Sequence, residues 1–136
     1  DLFETDDETL EDNLQTIRRL AEILNKYPER EIIVEGHAAH LLYYDEELME
    51  QEQERTLLPL SRNRAREVVQ ALIILGVRRN RMEIVAYGGA RPIVEHSNDE
   101  ERWQNRRVEF LLQARGRSDS ENDGAEEGES SDGDDN

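Results

Sequence analysis

The sequence predicts an α/β (α+β) fold of two layers, in which helices pack on one mixed sheet. Two helix patterns alternate with short apolar strand patterns, as is typical of helices that cover a sheet. The last two strand patterns are joined by a loop without a full helix pattern. Because parallel neighbours need a long crossover connection, this last connection indicates a change of strand direction and therefore a mixed sheet.

The first helix pattern occupies the beginning of the chain. Apolar residues recur there at spacings of three and four with charged residues between them, which predicts one buried helix face. These apolar positions are Leu10, Leu14, Ile17, Ala21 and Leu24. We expect the helix to end near Tyr27, because Pro28 disfavours the helical conformation of the residue before it.

Three short runs predict the strands. Ile32-Ile33-Val34 is apolar at consecutive positions, which predicts a central strand covered on both faces and closed by Gly36. Residues 82–87 alternate and end at Gly88-Gly89, and Leu2-Phe3 would be the remnant of an earlier strand. The last strand has Val108, Phe110 and Leu112 on one face.

A second helix is predicted to begin at Ser61, a favoured N-cap residue, and to end at Gly76. Its inner face consists of Ala65, Val68, Val69, Leu72 and Leu75. With this start, Arg62 and Arg64 lie in the first turn, where the helix dipole disfavours cations. We interpret this departure as a sign of function, with free backbone N–H groups adding to an anion-binding site.

Charge and composition exclude several classes of function. The 136 residues carry a formal net charge of −16, which disfavours nucleic-acid partners, and the lack of cysteine excludes thiol catalysis. Residues 116–136 hold nine of the acids and no large apolar side chain, so we expect a disordered acidic tail after a domain at 1–115. All nine acids lie after residue 118, and residues 1–118 carry a formal net charge of −7.

Four motifs resemble those of the OmpA-like C-terminal domain, the peptidoglycan-associating module of outer-membrane proteins, Pal lipoproteins and flagellar stator proteins. They are Ile33-Val34-Glu35-Gly36-His37, Leu60-Ser61-Arg62-Asn63-Arg64-Ala65, Tyr87-Gly88-Gly89-Ala90-Arg91-Pro92 and Asn105-Arg106-Arg107-Val108-Glu109. The third motif is one residue shorter than is typical between its glycine and its proline. The motifs fall on the predicted elements in the family's order, so the resemblance covers roughly residues 2–115.

The resemblance implies a ligand site at these motifs. In the family, an aspartate of the G-H-T-D motif holds the ammonium of diaminopimelate, and an arginine of the L-S-x-x-R-A motif holds its carboxylate. That arginine corresponds to Arg64, whereas the aspartate position is Ala39, so half of the clamp remains. The same resemblance assigns His37, Ser61 and Asn105 to this pocket. Glu4 lies where many members place an aspartate that also lines the pocket. Arg107 either orients the pocket or straddles the edge of the sheet.

An insertion separates the first two motifs. Residues 40–56 are longer than the family's usual connection and are rich in acids. The family's pocket asparagine falls on Leu57, which removes a second polar ligand. An acid of the insertion, or Glu4, would replace the missing ammonium partner; the alternative is a solvated acidic helix or loop.

No catalytic, cofactor or metal site is predicted. The chain has no nucleophile elbow, phosphate loop or paired acid and base, so we expect no enzyme and no cofactor. His37, His40 and His96 are possible metal ligands, and His37 and His40 have the HxxH spacing. The chain has no cysteine, and no third ligand follows this pair at a helical interval, so we predict no metal.

We therefore predict a noncovalent peptidoglycan-binding module that tethers an envelope protein to the bacterial cell wall. Its ligand is the diamino acid carboxylate of the stem peptide, with altered or weakened diamino-acid recognition. The alternative is a degenerate OmpA-like domain that no longer binds peptidoglycan and serves structural contacts or contacts with envelope proteins.

We expect a periplasmic location, with attachment to the outer membrane through sequence that precedes Asp1. The longest apolar run, residues 71–75, is far too short to insert into a membrane.

Overall fold

The computed structural model describes the backbone of residues 7–113 and the side chains of residues 11–113. The predictions for Leu2-Phe3, for Glu4 and for the acidic segment 116–136 lie outside the described residues. The helices are α1 (Asp7–Asn25), α2 (Glu46–Glu52) and α3 (Leu58–Ile74), and the strands are β1 (Ile32–His37), β2 (Met82–Gly88) and β3 (Arg107–Leu112). A π-helical turn, Gln53–Leu57, joins α2 to α3, and short 3₁₀ turns precede β2 and β3.

The three strands form one mixed sheet in the order β2-β1-β3. β1 runs parallel to β2 and antiparallel to β3. The predictions of a mixed sheet and of a central strand at Ile32-Ile33-Val34 are confirmed. The parallel pair is connected through α2 and α3, which supply the long crossover that parallel neighbours need.

The core lies between the sheet and the helices. Successive strand residues face opposite sides, so Ile32, Val34 and Gly36 face the helices, while Glu35 and His37 face away from them. The buried residues of the core cluster come from α1, β1, α3 and the turn after α3: Ile17, Ala21, Leu24, Ile32, Val34, Ala65, Val68, Val69, Leu72 and Val77. Most of the periodic residues of the two helix patterns therefore form the core as expected, and Leu14 packs against it. The prediction that Leu75 belongs to the inner face is wrong: its side chain is exposed, because its backbone leaves the helical conformation after Ile74. The side chain of Leu10 lies outside the described residues.

Arg81 anchors the end of α1 to the start of β2. Its buried guanidinium donates hydrogen bonds to the carbonyl oxygens of Leu24 (3.1 Å), Tyr27 (2.7 Å) and Arg30 (2.9 Å). These carbonyls lie at the end of α1 and in the connection after it, where a helix offers fewer backbone N–H partners to its last carbonyl oxygens. α1 ends at Asn25, close to the predicted boundary at Tyr27.

The predicted start of the second helix at Ser61 is wrong. Helical backbone continues from Glu46 to Ile74 through the π-helical turn, in which the N–H of Leu58 donates to the carbonyl of Gln53, five residues earlier. Pro59 accounts for this turn, because proline has no N–H and its ring crowds the carbonyl four residues before it. A wider turn immediately before the proline relieves that crowding.

Because the helix is continuous, the helix dipole gives no reason to regard Arg62 and Arg64 as unusual. Arg62 and Arg64 lie inside the helix rather than in its first turn, and Ser61 has no free helix terminus beside it. The predicted end is confirmed: α3 closes at Gly76, whose φ of 98° is in the left-handed region that glycine adopts without strain. Among helices of the described residues, none has both the length and the apolar character needed to cross a membrane.

Candidate functional site

The carboxyl ends of β1 and β2 form one edge of the sheet. The N–H of Ala38, directly after β1, donates to the carbonyl of Gly88 at 2.7 Å. The loop after β1, the insertion and the loop after β2 all meet at this edge. Ligand sites commonly lie outside the carboxyl ends of parallel strands, so we take this edge as the candidate site.

Ser61 joins α3 to the ends of both strands. Its fully buried hydroxyl donates to the carbonyl of Leu58 (3.1 Å) and accepts from the N–H of Gly88 (3.0 Å). A Cβ on Gly36 would lie 2.0 Å from the carbonyl oxygen of Ser61. Ser61 therefore supports the site from within the core, and its predicted contact with a ligand stays a prediction.

Arg64 follows Ser61 by one helical turn. Long side chains in a helix lean toward its N-terminus, over the residues three and four positions earlier, which here are Ser61 and Leu60. Arg64 is half-buried, and its Nη1 atom is shielded from solvent. The helix thus directs this guanidinium toward the ends of the strands.

Ala39 presents a buried methyl group at the position where the resemblance places an aspartate. Next to it, the imidazole of His40 is also buried, and its Nδ1 donates to Oε1 of Glu52 at 2.8 Å. An acid of the insertion thus reaches the loop that follows β1.

Glu52 holds the loop after β1 in place. Beside its bond to His40, its carboxylate accepts from the N–H groups of Leu41 (3.0 Å) and Leu42 (3.1 Å). Burial alone would raise the pKa of Glu52, but the hydrogen bonds from His40 and from these two N–H groups prevail and lower it. The insertion therefore folds onto the site as α2 and the π-helical turn.

Gln53 makes the second contact of the insertion with the site. Its Nε2 donates to the carbonyl of Tyr87 (2.7 Å), and its Oε1 accepts from the N–H of Gly89 (2.8 Å). Because both backbone groups lie at the end of β2, Gln53 fixes the insertion to the second strand as Glu52 fixes it to the first.

A cavity of about 550 Å³ lies between α2 and the loop after β2. From α2 and the π-helical turn, its wall includes Glu46, Met49, Glu50 and Gln53; from the loops, it includes His40 and His96. The two imidazole rings meet edge to face, with centroids 5.0 Å apart. Burial and the neighbouring His40 lower the pKa of His96.

A network of charged and aromatic side chains covers the sheet face away from the helices. The Nε2 of the buried His37 donates to Oε1 of Glu35 at 3.2 Å, and its ring stacks on Tyr87 with centroids 5.3 Å apart. Burial and the cation of Arg107 lower the pKa of His37, although the hydrogen bond to Glu35 opposes them. His37 thus packs within the sheet face, and its contact with a ligand stays a prediction.

Arg107 links β3 to the loop before it. Its guanidinium donates to Glu109 and to the carbonyl oxygens of Asn105 (3.2 Å) and Arg91 (2.9 Å). The hydrogen bond from Arg107 lowers the pKa of Glu109. These contacts hold the loop that precedes β3, and the two roles predicted for Arg107 stay predictions.

Asn105 shapes the loop between β2 and β3 from a fully buried position. Its Oδ1 accepts from the N–H groups of Ile93 (2.8 Å) and Val94 (3.1 Å), and its Nδ2 donates to the carbonyl of Val94 (3.1 Å). These bonds engage both polar atoms of the amide with the protein backbone, so Asn105 positions the loop beside the site.

Glu35, His37 and Glu109 form a group that the sequence analysis missed. Each offers one metal-ligand atom, and these atoms lie within 4.8 Å of one another. Residues 35 and 37 are two positions apart in one strand and therefore share a face of the sheet, which was the signal available in the sequence. Glu109 joins them because β1 pairs with β3 and Glu109 lies opposite Glu35. Arg107 already neutralises Glu109, and its cation opposes a second cation there, so we interpret the group as an ion-paired network.

Comparison with known proteins shows what this chain is similar to. A model of the OmpA family matches residues 2–106. The peptidoglycan-associated lipoprotein of Legionella pneumophila is 31% identical over 114 residues, which are 83% of this chain and 59% of that protein. Motility protein B of Helicobacter pylori is 33% identical over 114 residues, 82% of this chain and 42% of that protein. The chain thus spans about half the length of these relatives.

Solved structures share the fold. The C-terminal domain of Helicobacter pylori MotB has a TM-score of 0.65 and 29% identity, with 78% of this chain and 76% of that chain covered. The peptidoglycan-associated lipoprotein of Burkholderia pseudomallei has a TM-score of 0.59 and 27% identity, with 74% and 76% covered. Helices packed on a small mixed sheet are therefore common to these proteins and to this chain.

Proposed function

This chain belongs to the OmpA family, and from that membership we propose that it is a noncovalent peptidoglycan-binding module that tethers a bacterial envelope protein to the cell wall. One relative is named for its association with peptidoglycan, and a solved structure similar to this chain is a periplasmic domain of MotB. The proposal accordingly includes a periplasmic location and attachment to the outer membrane.

The position of Arg64 carries the proposal. It corresponds to the arginine that holds the stem-peptide carboxylate in the resembling domains, and it lies on α3 one turn after Ser61, which is bonded to the end of β2. A guanidinium presents two parallel N–H donors that match the two oxygens of a carboxylate. A rigid helix thus directs a carboxylate-binding group toward the loop edge of the sheet.

Ala39 makes recognition of the amine different from that of the resembling domains. A buried methyl group has no oxygen that could accept from an ammonium. The proposed module therefore binds the stem-peptide carboxylate through Arg64 and has altered or weakened contacts to the amine of the same diamino acid.

Cosedimentation with insoluble peptidoglycan tests the proposal. The purified protein is mixed with walls of the diaminopimelate, lysine and ornithine types, and the bound fraction is measured for wild type, Arg64→Ala and Arg66→Ala. Arg66 is a matched control, because it is an exposed arginine on the same helix. Within the described residues, its side-chain hydrogen bond goes to Asn63.

We expect wild type to bind at least one wall type and Arg64→Ala to bind at least roughly tenfold more weakly, since truncation of one partner of a buried charge pair costs about 2 kcal/mol or more. Arg66→Ala should bind like wild type. A folded wild-type protein that sediments with none of the walls would contradict the proposal and leave the structural or protein-contact alternative.

A further inference from the structure

Residues 46–53, here named the lid, lie over the carboxyl ends of β1 and β2 and are attached to them by polar contacts. All residues of α2 belong to the described part of the chain, and none of them is buried. A cavity of about 550 Å³ lies between α2 and the loop after β2, so apolar packing contributes little to their association. Segments with few buried apolar contacts open at a low cost in free energy.

The last two residues of the lid fasten it. The carboxylate of Glu52 accepts from His40 and from the backbone after it, which attaches the lid to the loop after β1. The carboxamide of Gln53 bonds the carbonyl of Tyr87 and the N–H of Gly89 at the end of β2. Water takes over such bonds at a small net cost when a segment moves away. The attachment is therefore reversible.

A hinge follows the fastening. The π-helical turn Gln53–Leu57 interrupts the regular helical ladder, and Pro59 has no N–H with which to restore it. Such turns are frequent at functional sites. Leu57 is buried, so the chain is fixed to the domain from this residue onward. The lid can therefore move about this turn while α3 stays in place.

The lid fills the space at the glycine pair that follows β2. A Cβ on Gly88 would collide with the carboxamide of Gln53, and a Cβ on Gly89 would collide with the imidazole of His40. A ligand atom needs at least the room of a methyl carbon, so none fits against this pair. Ala39, the position that corresponds to the ligand aspartate of the resembling domains, is buried as well. The ends of β1 and β2 are thus closed to a ligand in this conformation.

We propose that the lid is autoinhibitory: it closes the wall-binding site, and wall binding requires the lid to move away about the π-helical turn. The inference rests on the proposed peptidoglycan binding and adds a means of regulating it. Because only molecules with an open lid bind, the apparent affinity is reduced by the fraction that is open. Arg64 lies on α3, after the hinge, and keeps its place when the lid opens.

Loosening the lid tests the inference through the sign of the effect. Gln53→Ala removes both bonds to the end of β2 and is compared with wild type by cosedimentation, using the wall type that wild type binds. Gln51→Ala is the matched control, because it truncates the same kind of side chain at an exposed position of the lid. Circular dichroism verifies that all three proteins are folded at the temperature of the assay.

We expect Gln53→Ala to bind roughly tenfold more tightly than wild type, because the loss of two hydrogen bonds raises the open fraction by about this factor. Gln51→Ala should bind like wild type. If Gln53 instead holds the site together, its truncation weakens binding. Equal or weaker binding of a folded Gln53→Ala variant overturns the lid, whereas loss of binding in Arg64→Ala leaves the proposed function standing.

Hydrogen exchange follows the opening in the unmodified chain. The N–H groups of Leu41, Leu42 and Gly89 are bonded to the lid. Muropeptides released from the same wall by a muramidase should accelerate exchange at these three positions, because bound molecules hold the lid open. The amides of Ile93 and Val94, bonded outside the lid, should keep their rates. Unchanged or slower exchange at the three positions under saturating muropeptide would show binding to the closed form and would overturn the inference.

Discussion

Gly36 in β1 and Ser61 in α3 touch backbone to backbone, and a Cβ on Gly36 would lie 2.0 Å from the carbonyl oxygen of Ser61. The hydroxyl of Ser61 also accepts from the N–H of Gly88 at 3.0 Å. The two contacts fix α3 against the ends of both parallel strands. Since α3 carries Arg64, this packing sets the position of the guanidinium relative to the loop edge of the sheet.

Gly36→Ala should destabilise the protein strongly, because the new methyl group meets backbone that belongs to a helix and cannot move alone. We expect the free energy of unfolding to fall by at least about 2 kcal/mol. Ser61→Ala should lower it by about 1–3 kcal/mol, since the buried N–H of Gly88 loses its acceptor. Urea unfolding measures both changes, and an unchanged midpoint for Gly36→Ala would show that the two elements separate easily.

Asn105→Ala should loosen the loop that ends beside the cavity. The substitution removes the acceptor of two backbone N–H groups, those of Ile93 and Val94, so we expect a loss of about 1–3 kcal/mol in unfolding free energy. Amide hydrogen exchange at these two positions should accelerate. Unchanged exchange at both positions in Asn105→Ala would contradict this role of the two N–H contacts.

Much of the fold could be predicted because its signals are local. The periodicity from Leu14 to Leu24 marks the buried face of α1, and the β-branched run at Ile32 marks the central strand. Strand direction followed from the length of the connections. These features depend on residues close in sequence, which a single sequence displays directly.

The start of α3 could not be predicted in the same way. Ser61 is a good N-cap by type, but its hydroxyl is used in a contact with Gly88, 27 residues away. Pro59 gave no simple signal either, because helical backbone runs through it by means of the π-helical turn. Here a tertiary contact determined the role of the serine.

The candidate site was predictable only where a motif matched. Arg64 was assigned to the site through the resemblance, and its contact with a ligand stays a prediction. Glu52 and Gln53 lie in the insertion, for which the motifs give no pattern. Their partners depend on how α2 folds back onto the strand ends. The group of Glu35, His37 and Glu109 likewise depends on the register of β1 with β3, which the sequence does not display.

His37 should make stability depend on pH near neutrality. Burial and Arg107 lower its pKa in the folded protein below the ordinary 6.5, although Glu35 and Glu109 oppose the shift. The unfolded chain therefore binds a proton at a higher pH than the folded chain does. It follows that stability falls as the pH drops through 6.5 and stops falling below the folded pKa.

His37→Phe keeps a flat ring against Tyr87 and removes this titration. We expect its urea midpoint to change less than that of wild type between about pH 7.5 and about pH 5.5. His96, whose pKa is also lowered, retains its own contribution in the variant. Equal slopes for the two proteins would show that His37 protonates as readily in the folded chain as in the unfolded chain.

Glu52→Gln should release the loop after β1, because the amide replaces a charged acceptor that binds His40 and the N–H groups of Leu41 and Leu42. Hydrogen bonds to charged groups contribute about 1.5–3 kcal/mol, so we expect a loss of that order in unfolding free energy at neutral pH. Glu54→Gln, an exposed position in the same segment, should change it by less than about 0.5 kcal/mol.

The effect of Glu52 should vanish in acid. Burial raises its pKa, but the bonds from His40, Leu41 and Leu42 outweigh burial, so the folded pKa lies below the ordinary 4.5. Its stabilisation is therefore complete above 4.5 and is lost as the pH falls through the folded pKa. Urea unfolding of wild type and Glu52→Gln from neutral pH downward should show the two curves converge, and a gap that persists unchanged in acid would mean that packing of the side chain, and not its charge, holds the loop.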